Sequence, residues 1–292
     1  MNRLTTIAAT RAYVAAERHA GARIALVPTM GALHEGHLRL IDHARRQADR
    51  VIMSIFVNPL QFGAGEDFAR YPRDTEGDAG LAAARGVDAI FAPPVQEMYP
   101  DGASGVIISA PGLRDRLCGH YRPGHFDGVL TVVAKLFNIV TPDVAVFGQK
   151  DYQQAVLIRR MVRDLDIPVH VEVAPIVREA DGLAMSSRNA YLAPAERMRA
   201  SALHRALQAT QAVFRTGERD PSSLQQVARD VIDAEGGIDV QYLEVVHPET
   251  LEGVARAEPG TVVAVAAFVG GTRLIDNLVL DGTGSTVPAV PD

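Results

Sequence analysis

The sequence predicts an α/β protein, with a Rossmann-like parallel sheet over residues 1–176 followed by a smaller α+β domain over residues 177–292. Three observations predict it. Short apolar, β-rich runs alternate with helix-spaced segments through the first half, as right-handed βαβ units and a parallel sheet require. After Arg188 the order changes to two helical segments and then three strand-like runs. Gly270-Gly271, between the last two of those runs, fits the turn of an antiparallel hairpin.

Taken in order, residues 1–21 mix small apolar and charged side chains and suit a surface helix. Arg23–Thr29 (RIALVPT) is an apolar run of strand length. Gly36–Asp49 places Leu38, Ile41 and Ala44 on one helical face. Val51–Val57 reads as a strand, Thr75–Arg85 as a helix and Asp88–Phe91 as a third strand. Gly128–Val140 is apolar almost all round, which predicts a buried helix. Asp143–Phe147 and Val169–Val177 are further strands on either side of a helix over Asp151–Asp166. Past a boundary near Ile176–Met185, Pro194–Thr216 and Ser222–Glu235 read as helices. Val240–Val246, Thr261–Val269 and Arg273–Leu280 read as strands. The tail Asp281–Asp292, rich in Gly, Ser, Thr and Pro, is expected to be loose. Ligands of a parallel sheet bind beyond the carboxyl ends of its strands, so the loops after the strands carry the functional expectation.

Composition narrows the class. A chain of 292 residues with 47% hydrophobic and 22% charged residues can bury a large core without disulfides, as soluble enzymes do. The formal net charge of −6 argues against a nucleic-acid surface. The single cysteine, Cys118, excludes an internal disulfide framework and fits a reducing compartment. No apolar run is long enough to span a bilayer, and the N-terminus lacks the apolar core of a signal peptide. A cytoplasmic protein with neither membrane nor nucleic-acid partners is expected.

The densest chemical signal is Pro28–Leu38, PTMGALHEGHL, directly after the first long strand. His34 and His37 fall three apart around Gly36 at the start of a helix, which puts both imidazoles on one side of the first turn. A helix N-terminus offers free N–H groups and positive dipole to phosphate, and two adjacent imidazoles can donate to its oxygens. Gly36 lets a flat ring approach the main chain. The zincin pattern needs histidines four apart, so this pair does not match it. The plain alternative is two surface histidines at a helix start. Cys118, His120 and His125 match no zinc spacing either. There is no P-loop lysine, GxGxxG string or Ser-His-Asp signature.

Further candidates lie in the other loops. Asn58 and Gln61 follow the second long strand, and Gln154 sits on the helix after DVAVF. Neutral amides can orient a substrate carboxylate while leaving it a nucleophilic lone pair, where a bidentate arginine would draw off its charge. Lys150 is placed against phosphates, and Asp151 can cap the helix it begins. Ser186, Ser187 and Arg188 form a polar cluster suited to β- and γ-phosphates. In isolation each of these also reads as an ordinary solvated loop residue.

HEGH resembles the HIGH signature of the nucleotidyltransferase superfamily, and PTMGALHEGHL resembles the pantothenate synthetase family in particular. FVNPLQF (Phe56–Phe62), YPRD (Tyr71–Asp74), RPGHFDGVLTVVAKLFNIV from Arg122, FGQKDYQQ (Phe147–Gln154) and MSSRN (Met185–Asn189) agree in the same order. The likeness weakens after Asn189.

The resemblance implies ATP-dependent joining of pantoate to β-alanine through a pantoyl-adenylate, with release of AMP and pyrophosphate. His37, His34 and Lys150 are the implied catalytic groups. ATP falls to Met30, Gly31, Ala32, Leu33, His34, Glu35, Gly36 and His37; to Gly148, Gln149, Lys150 and Asp151, the last on the ribose; and to Val177, Met185, Ser186, Ser187 and Arg188. The serine-arginine stretch resembles in role the KMSKS loop of class I synthetases. Pantoate and β-alanine fall to Gln61, Gln154, Asn58, Pro28 and Thr29, while Arg122 and His125 border the mouth. Mg2+ is implied with ATP, and Asp78 is a candidate ligand. A homodimer is implied as well. Gln149 stands where the family often has glutamate. The rival readings are another superfamily nucleotidyltransferase, such as a cytidylyltransferase or phosphopantetheine adenylyltransferase, or a catalytically silent nucleotide-binding protein.

Overall fold

The computed structural model describes residues 1–102 and 105–282. Most of the tail expected to be loose, residues 283–292, lies outside the described residues. The chain divides into two compact units. One comprises Met1–Asp115, Gly119–Gly148 and Gln154–Ala174. The other comprises Arg116–Cys118, Gln149–Gln153 and the chain from Pro175 onward. A single cut at residue 176 therefore leaves out two short stretches, one of them the greater part of the GQKD string.

The first unit runs β1 (Asn2–Leu4), α1 (Ile7–His19), β2 (Ile24–Thr29), α2 (Glu35–Arg45), β3 (Arg50–Ile55), α3 (Thr75–Ala84) and β4 (Ala89–Phe91). The short helices α4 (Val95–Met98), α5 (Pro111–Arg114) and α6 (Cys118–Tyr121) precede α7 (His125–Val140), β5 (Val144–Gly148), α8 (Tyr152–Asp164) and β6 (His170–Ala174). All pairings are parallel, in the order β1-β4-β3-β2-β5-β6. Strand order reverses between β2 and β5, so the switch point opens beyond Thr29 and Gly148, where ligands of such sheets bind. β2 and β5 are apolar and almost wholly buried, as strands covered on both faces are. The core beside them gathers Val27, Ile41, Val51, Met53, Ile90 and Val146.

Three aspartates fasten the amino edge of this sheet. Asp143 Oδ2 accepts from Ile24 N at 2.7 Å, Asp49 Oδ2 from Arg23 N at 2.9 Å and Asp88 Oδ2 from Val51 N at 2.8 Å. The carboxyl edge is left to the loops that the sequence singles out.

The second unit adds α9 (Pro194–Ala200), α10 (Ala202–Arg215), α11 (Pro221–Glu235), β7 (Ile238–Val246), β8 (Val262–Val269) and β9 (Thr272–Val279). The three strands form an antiparallel sheet, and β8 turns into β9 through Gly270-Gly271 with Gly270 at φ +57°. Leu203, Leu207, Phe214, Leu224, Val263 and Val265 build its core.

Several boundaries differ from the sequence reading for local reasons. Residues 2–4 form an edge strand, too short to show a period. α2 stops at Arg45 because Asp49 bonds the start of β2 through both N–H and carboxylate. β6 ends at Ala174 before Pro175, which has no N–H for the ladder. The expected helix Pro194–Thr216 is two helices, broken at Ser201, whose hydroxyl donates back to Met198 O at 2.7 Å.

Candidate active site

The turn after β2 is wired from within its own unit. Thr29 Oγ1 donates to Ser54 O at 2.7 Å and accepts from Gly31 N at 3.3 Å, so its hydroxyl fixes the departure from the strand. Gly31 and Ala32 both take left-handed backbone, at φ +85° and +53°. The successive N–H groups of Ala32 and Leu33 converge on one buried carboxylate, donating to Asp78 Oδ2 and Oδ1 at 2.8 and 2.7 Å.

His34 then caps α2. Its Nδ1 accepts from Gly36 N at 3.1 Å, and His37 Nδ1 accepts from His34 N at 3.4 Å. The rings lie 4.1 Å apart between centroids, tilted by 36°. With both Nδ1 atoms accepting from main-chain N–H, the neutral imidazoles carry their proton on Nε2. The pair can therefore act as hydrogen-bond donors without carrying a positive charge. Glu35 beside them is held by Arg39 at 3.1 Å and Arg85 at 3.0 Å.

Past β3 the chain forms a tight turn, Pro59–Gln61, capped by Asn58. Asn58 Oδ1 accepts from Leu60 N at 3.3 Å and from Tyr99 Oη at 2.9 Å. Its Nδ2 donates to Gly128 O at 3.0 Å and to Gln61 Oε1 at 3.2 Å. Gln61 Nε2 faces Met30 Sδ at 3.1 Å, a weak acceptor. The Gln61 carbonyl accepts from His125 Nδ1 at 2.7 Å and from Arg122 at 3.4 Å. Arg122 grips Glu66 with two bonds of 2.7 and 2.6 Å. Burial pushes the Glu66 carboxyl up, but the bonds and charge of Arg122 outweigh it and hold it below its ordinary value. Burial alone pushes the Tyr99 phenol up to about 12. Helix α7 touches the same turn main chain to main chain, since a Cβ at Gly128 would lie 2.3 Å from Leu60 O.

The second unit holds the other candidates. Asn277 on β9 donates its Nδ2 to the carbonyls of Gln149 and Lys150, both at 3.0 Å, and so fixes the GQKD backbone. Lys150 Nζ lies 3.5 Å from Asp151 Oδ2. Val177 O accepts from Met185 N at 2.9 Å, closing a small loop, and Ser186 Oγ caps the Ser187–Tyr191 turn through Arg188 N at 3.3 Å. Arg178 grips the buried Asp276 with bonds of 2.6 and 3.0 Å at the base of that loop.

The first unit thus brings together Pro28, Thr29, Met30–His37, Asn58, Gln61 and Asp78, with Gly148 at the end of β5 and Gln154 on α8. The second carries Gln149, Lys150, Asp151, Val177 and Met185–Arg188. The candidate magnesium ligand, Asp78, has both oxygens on main-chain N–H groups, Glu35 is paired with arginines, and among the described residues no cluster of three metal-ligating side chains occurs. These residues do not fit a protein-held magnesium site. The sequence reading missed Tyr99 and Asn277. For Asn277 a signal existed, since Asp276-Asn277 stands between the apolar pairs Leu274-Ile275 and Leu278-Val279 of its strand.

The family model for pantoate–β-alanine ligase matches residues 2–279. The chain belongs to the pantoate–β-alanine ligase family. It is 55% identical to the pantothenate synthetase of Moorella thermoacetica over 281 residues, 96% of this chain and 99% of that one. It is 50% identical to that of Koribacter versatilis over 285 residues, 98% of each. The solved pantothenate synthetase of Thermus thermophilus is 46% identical and superposes with a TM-score of 0.91, covering 96% of this chain and 100% of that one. The pantoate–β-alanine ligase of Francisella tularensis is 32% identical with a TM-score of 0.78, over 96% and 97% of the two chains. The pantoate–β-alanine ligase family accounts for the parallel sheet with its separate small antiparallel sheet. It makes the chain an enzyme that ligates pantoate and β-alanine. No helix among the described residues is long and apolar enough to cross a membrane.

Proposed function

We propose that this ligase works in two steps through an acyl-adenylate. A carboxylate oxygen of pantoate attacks the α-phosphorus of ATP, the bond to pyrophosphate breaks, and pantoyl-adenylate forms. The amine of β-alanine then attacks the acyl carbon, the bond to AMP breaks, the nitrogen loses its proton, and the amide pantothenate results.

The observation that carries this reading is the orientation of His34 and His37, whose Nδ1 atoms accept from main-chain N–H groups and leave Nε2–H as the donor. Donors fixed before the reaction stabilise charge as it develops on departing pyrophosphate. His37 serves that leaving group as a hydrogen-bond donor and keeps its proton. We assign ATP contacts to Met30–His37, Gly148–Asp151, Val177 and Met185–Arg188, with Lys150 and Arg188 as the phosphate cations. Pantoate is assigned to Gln61 and Gln154, with Asn58, Pro28 and Thr29 around it. The Gln61 amide, its oxygen taken by Asn58, meets a hydroxyl or carboxylate oxygen as a donor. The Francisella tularensis relative was solved complexed with β-γ ATP and β-alanine, which supports both ligands here. Magnesium enters with the triphosphate, whose oxygens supply its ligands. The same reading has the chain act in the cytoplasm as a homodimer.

The product nucleotide tests the route. With ATP, pantoate and β-alanine supplied together, AMP and pyrophosphate form in equal amounts with pantothenate. ADP and phosphate as products would mean an acyl-phosphate route and refute the adenylate.

A further inference from the structure

We propose that Asp78 is a positioning residue for the ATP-facing turn, acting by filling the anion nest that Ala32 and Leu33 create. The inference rests on the adenylation reading above and adds to it a residue and a division of labour.

In the turn where Gly31 and Ala32 sit at φ +85° and +53°, the successive N–H groups of Ala32 and Leu33 point to one side of the chain, as their bonds to a single carboxylate show. Such a concavity attracts an anion, and in nucleotide-binding loops that anion is a phosphate. Here the chain supplies its own. The Asp78 carboxylate reaches from α3 across 46 and 45 residues of sequence to bond Ala32 N at 2.8 Å and Leu33 N at 2.7 Å, one oxygen to each. Asp78 is 4% exposed, so the pairing is dry and strong. Gly31 is shaped to the same contact, because a Cβ there would lie 2.7 Å from Asp78 Oδ2.

Two consequences follow. A non-glycine residue held left-handed, as Ala32 is, persists only where surrounding bonds over-determine it, and Asp78 supplies two of them. With both N–H groups bonded to Asp78 the nest is closed to phosphate, and the imidazoles of His34 and His37 are the side-chain donors that the adenylation reading gives the nucleotide in this turn. Their placement depends on the strained main chain immediately before them, and a displacement of about 1 Å in such a group can cost on the order of a hundredfold in rate.

The test is a comparison of full-length variants by pantoate-dependent exchange of labelled pyrophosphate into ATP, with pantoate affinity by calorimetry and folding by circular dichroism. Asp78→Ala should lower exchange kcat by roughly a hundredfold and leave pantoate affinity within about threefold. Asp78→Asn should do no better, because its NH2 faces one of the two N–H donors. Gly31→Ala should act by pushing the carboxylate off the nest. Its loss and that of Asp78→Ala should therefore fail to add in the double variant. Asp74→Ala is the control for a merely structural effect. It removes the N-cap of the same helix, where Asp74 Oδ1 accepts from Gly77 N at 2.9 Å, without touching the turn, and it should keep its exchange kcat. Near wild-type kcat in folded Asp78→Ala and Asp78→Asn overturns the proposal, as do additive losses with Gly31→Ala, or an equal loss in Asp74→Ala. Failure of both Asp78 variants to fold while Asp74→Ala folds reduces the carboxylate to scaffold and overturns it too. Absence of exchange in the wild-type chain is a separate outcome, which defeats the adenylation reading itself and this proposal with it.

Discussion

Asn58 Nδ2 lies 3.2 Å from Gln61 Oε1, and both side chains are buried. The contact orients the Gln61 amide, its oxygen turned to Asn58 and its NH2 to Met30 Sδ. Asn58→Asp would place a carboxylate against that oxygen and leave Gly128 O without its donor. Like polarity at this distance should turn the Gln61 amide over. Pantoate affinity should fall at least about tenfold by calorimetry, with a stability loss of roughly 1–3 kcal/mol in denaturant unfolding from the unsatisfied buried group.

Tyr99 donates to the other end of the Asn58 amide, and its phenol is raised to about 12 by burial. The folded state therefore holds this proton more tightly than the unfolded chain. Its contribution to stability is complete below about pH 10 and is lost as pH rises from about 10 to about 12. Unfolding free energy measured across that window should fall less steeply in Tyr99→Phe than in the wild-type chain. Equal slopes would contradict the assignment.

His34 caps α2 and, on the proposed route, also donates from Nε2. His34→Ala loses both and should lower adenylation by about a hundredfold, with a cap penalty of about 1 kcal/mol. His34→Asn restores a capping oxygen but not the donor. Its melting temperature should recover while its turnover does not. Recovery of turnover with the cap would mean that the ring serves only the helix.

Gln154 on α8 is assigned to pantoate. Gln154→Glu would bring a second carboxylate to a substrate carboxylate, and like charges in a partly dry site repel by several kcal/mol. Pantoate binding should collapse in calorimetry while ATP binding survives. Unchanged pantoate affinity would remove Gln154 from the site.

What the sequence discloses about this protein divides by range along the chain. The PTMGALHEGHL turn is legible because a strand end, a left-handed glycine and a helix cap fall within one short stretch. Strand alternation foretells the parallel sheet, and Gly270-Gly271 its antiparallel counterpart. The Asp78 clamp is not legible as such, since an aspartate on a helix carries no local sign of bonding a turn 45 residues earlier. Asp78 can be suspected of a role from the sequence, as a ligand for a cation, but nothing near it in the chain points to its two N–H partners. Tyr99 stays hidden for the same reason, 41 residues from Asn58. The break at Ser201 lies below the resolution of a helical period, because one serine hydroxyl turning back on Met198 leaves the apolar spacing intact.

On the proposed route the His34 and His37 pair serves an adenylation that is complete before β-alanine arrives. Isotope exchange isolates that first step. With ATP, pantoate and labelled pyrophosphate but no β-alanine, label should enter ATP at a rate comparable to overall turnover. His34→Ala and His37→Ala should each slow it by about a hundredfold. Exchange that appears only when β-alanine is added, or that survives loss of both imidazoles, would contradict the account.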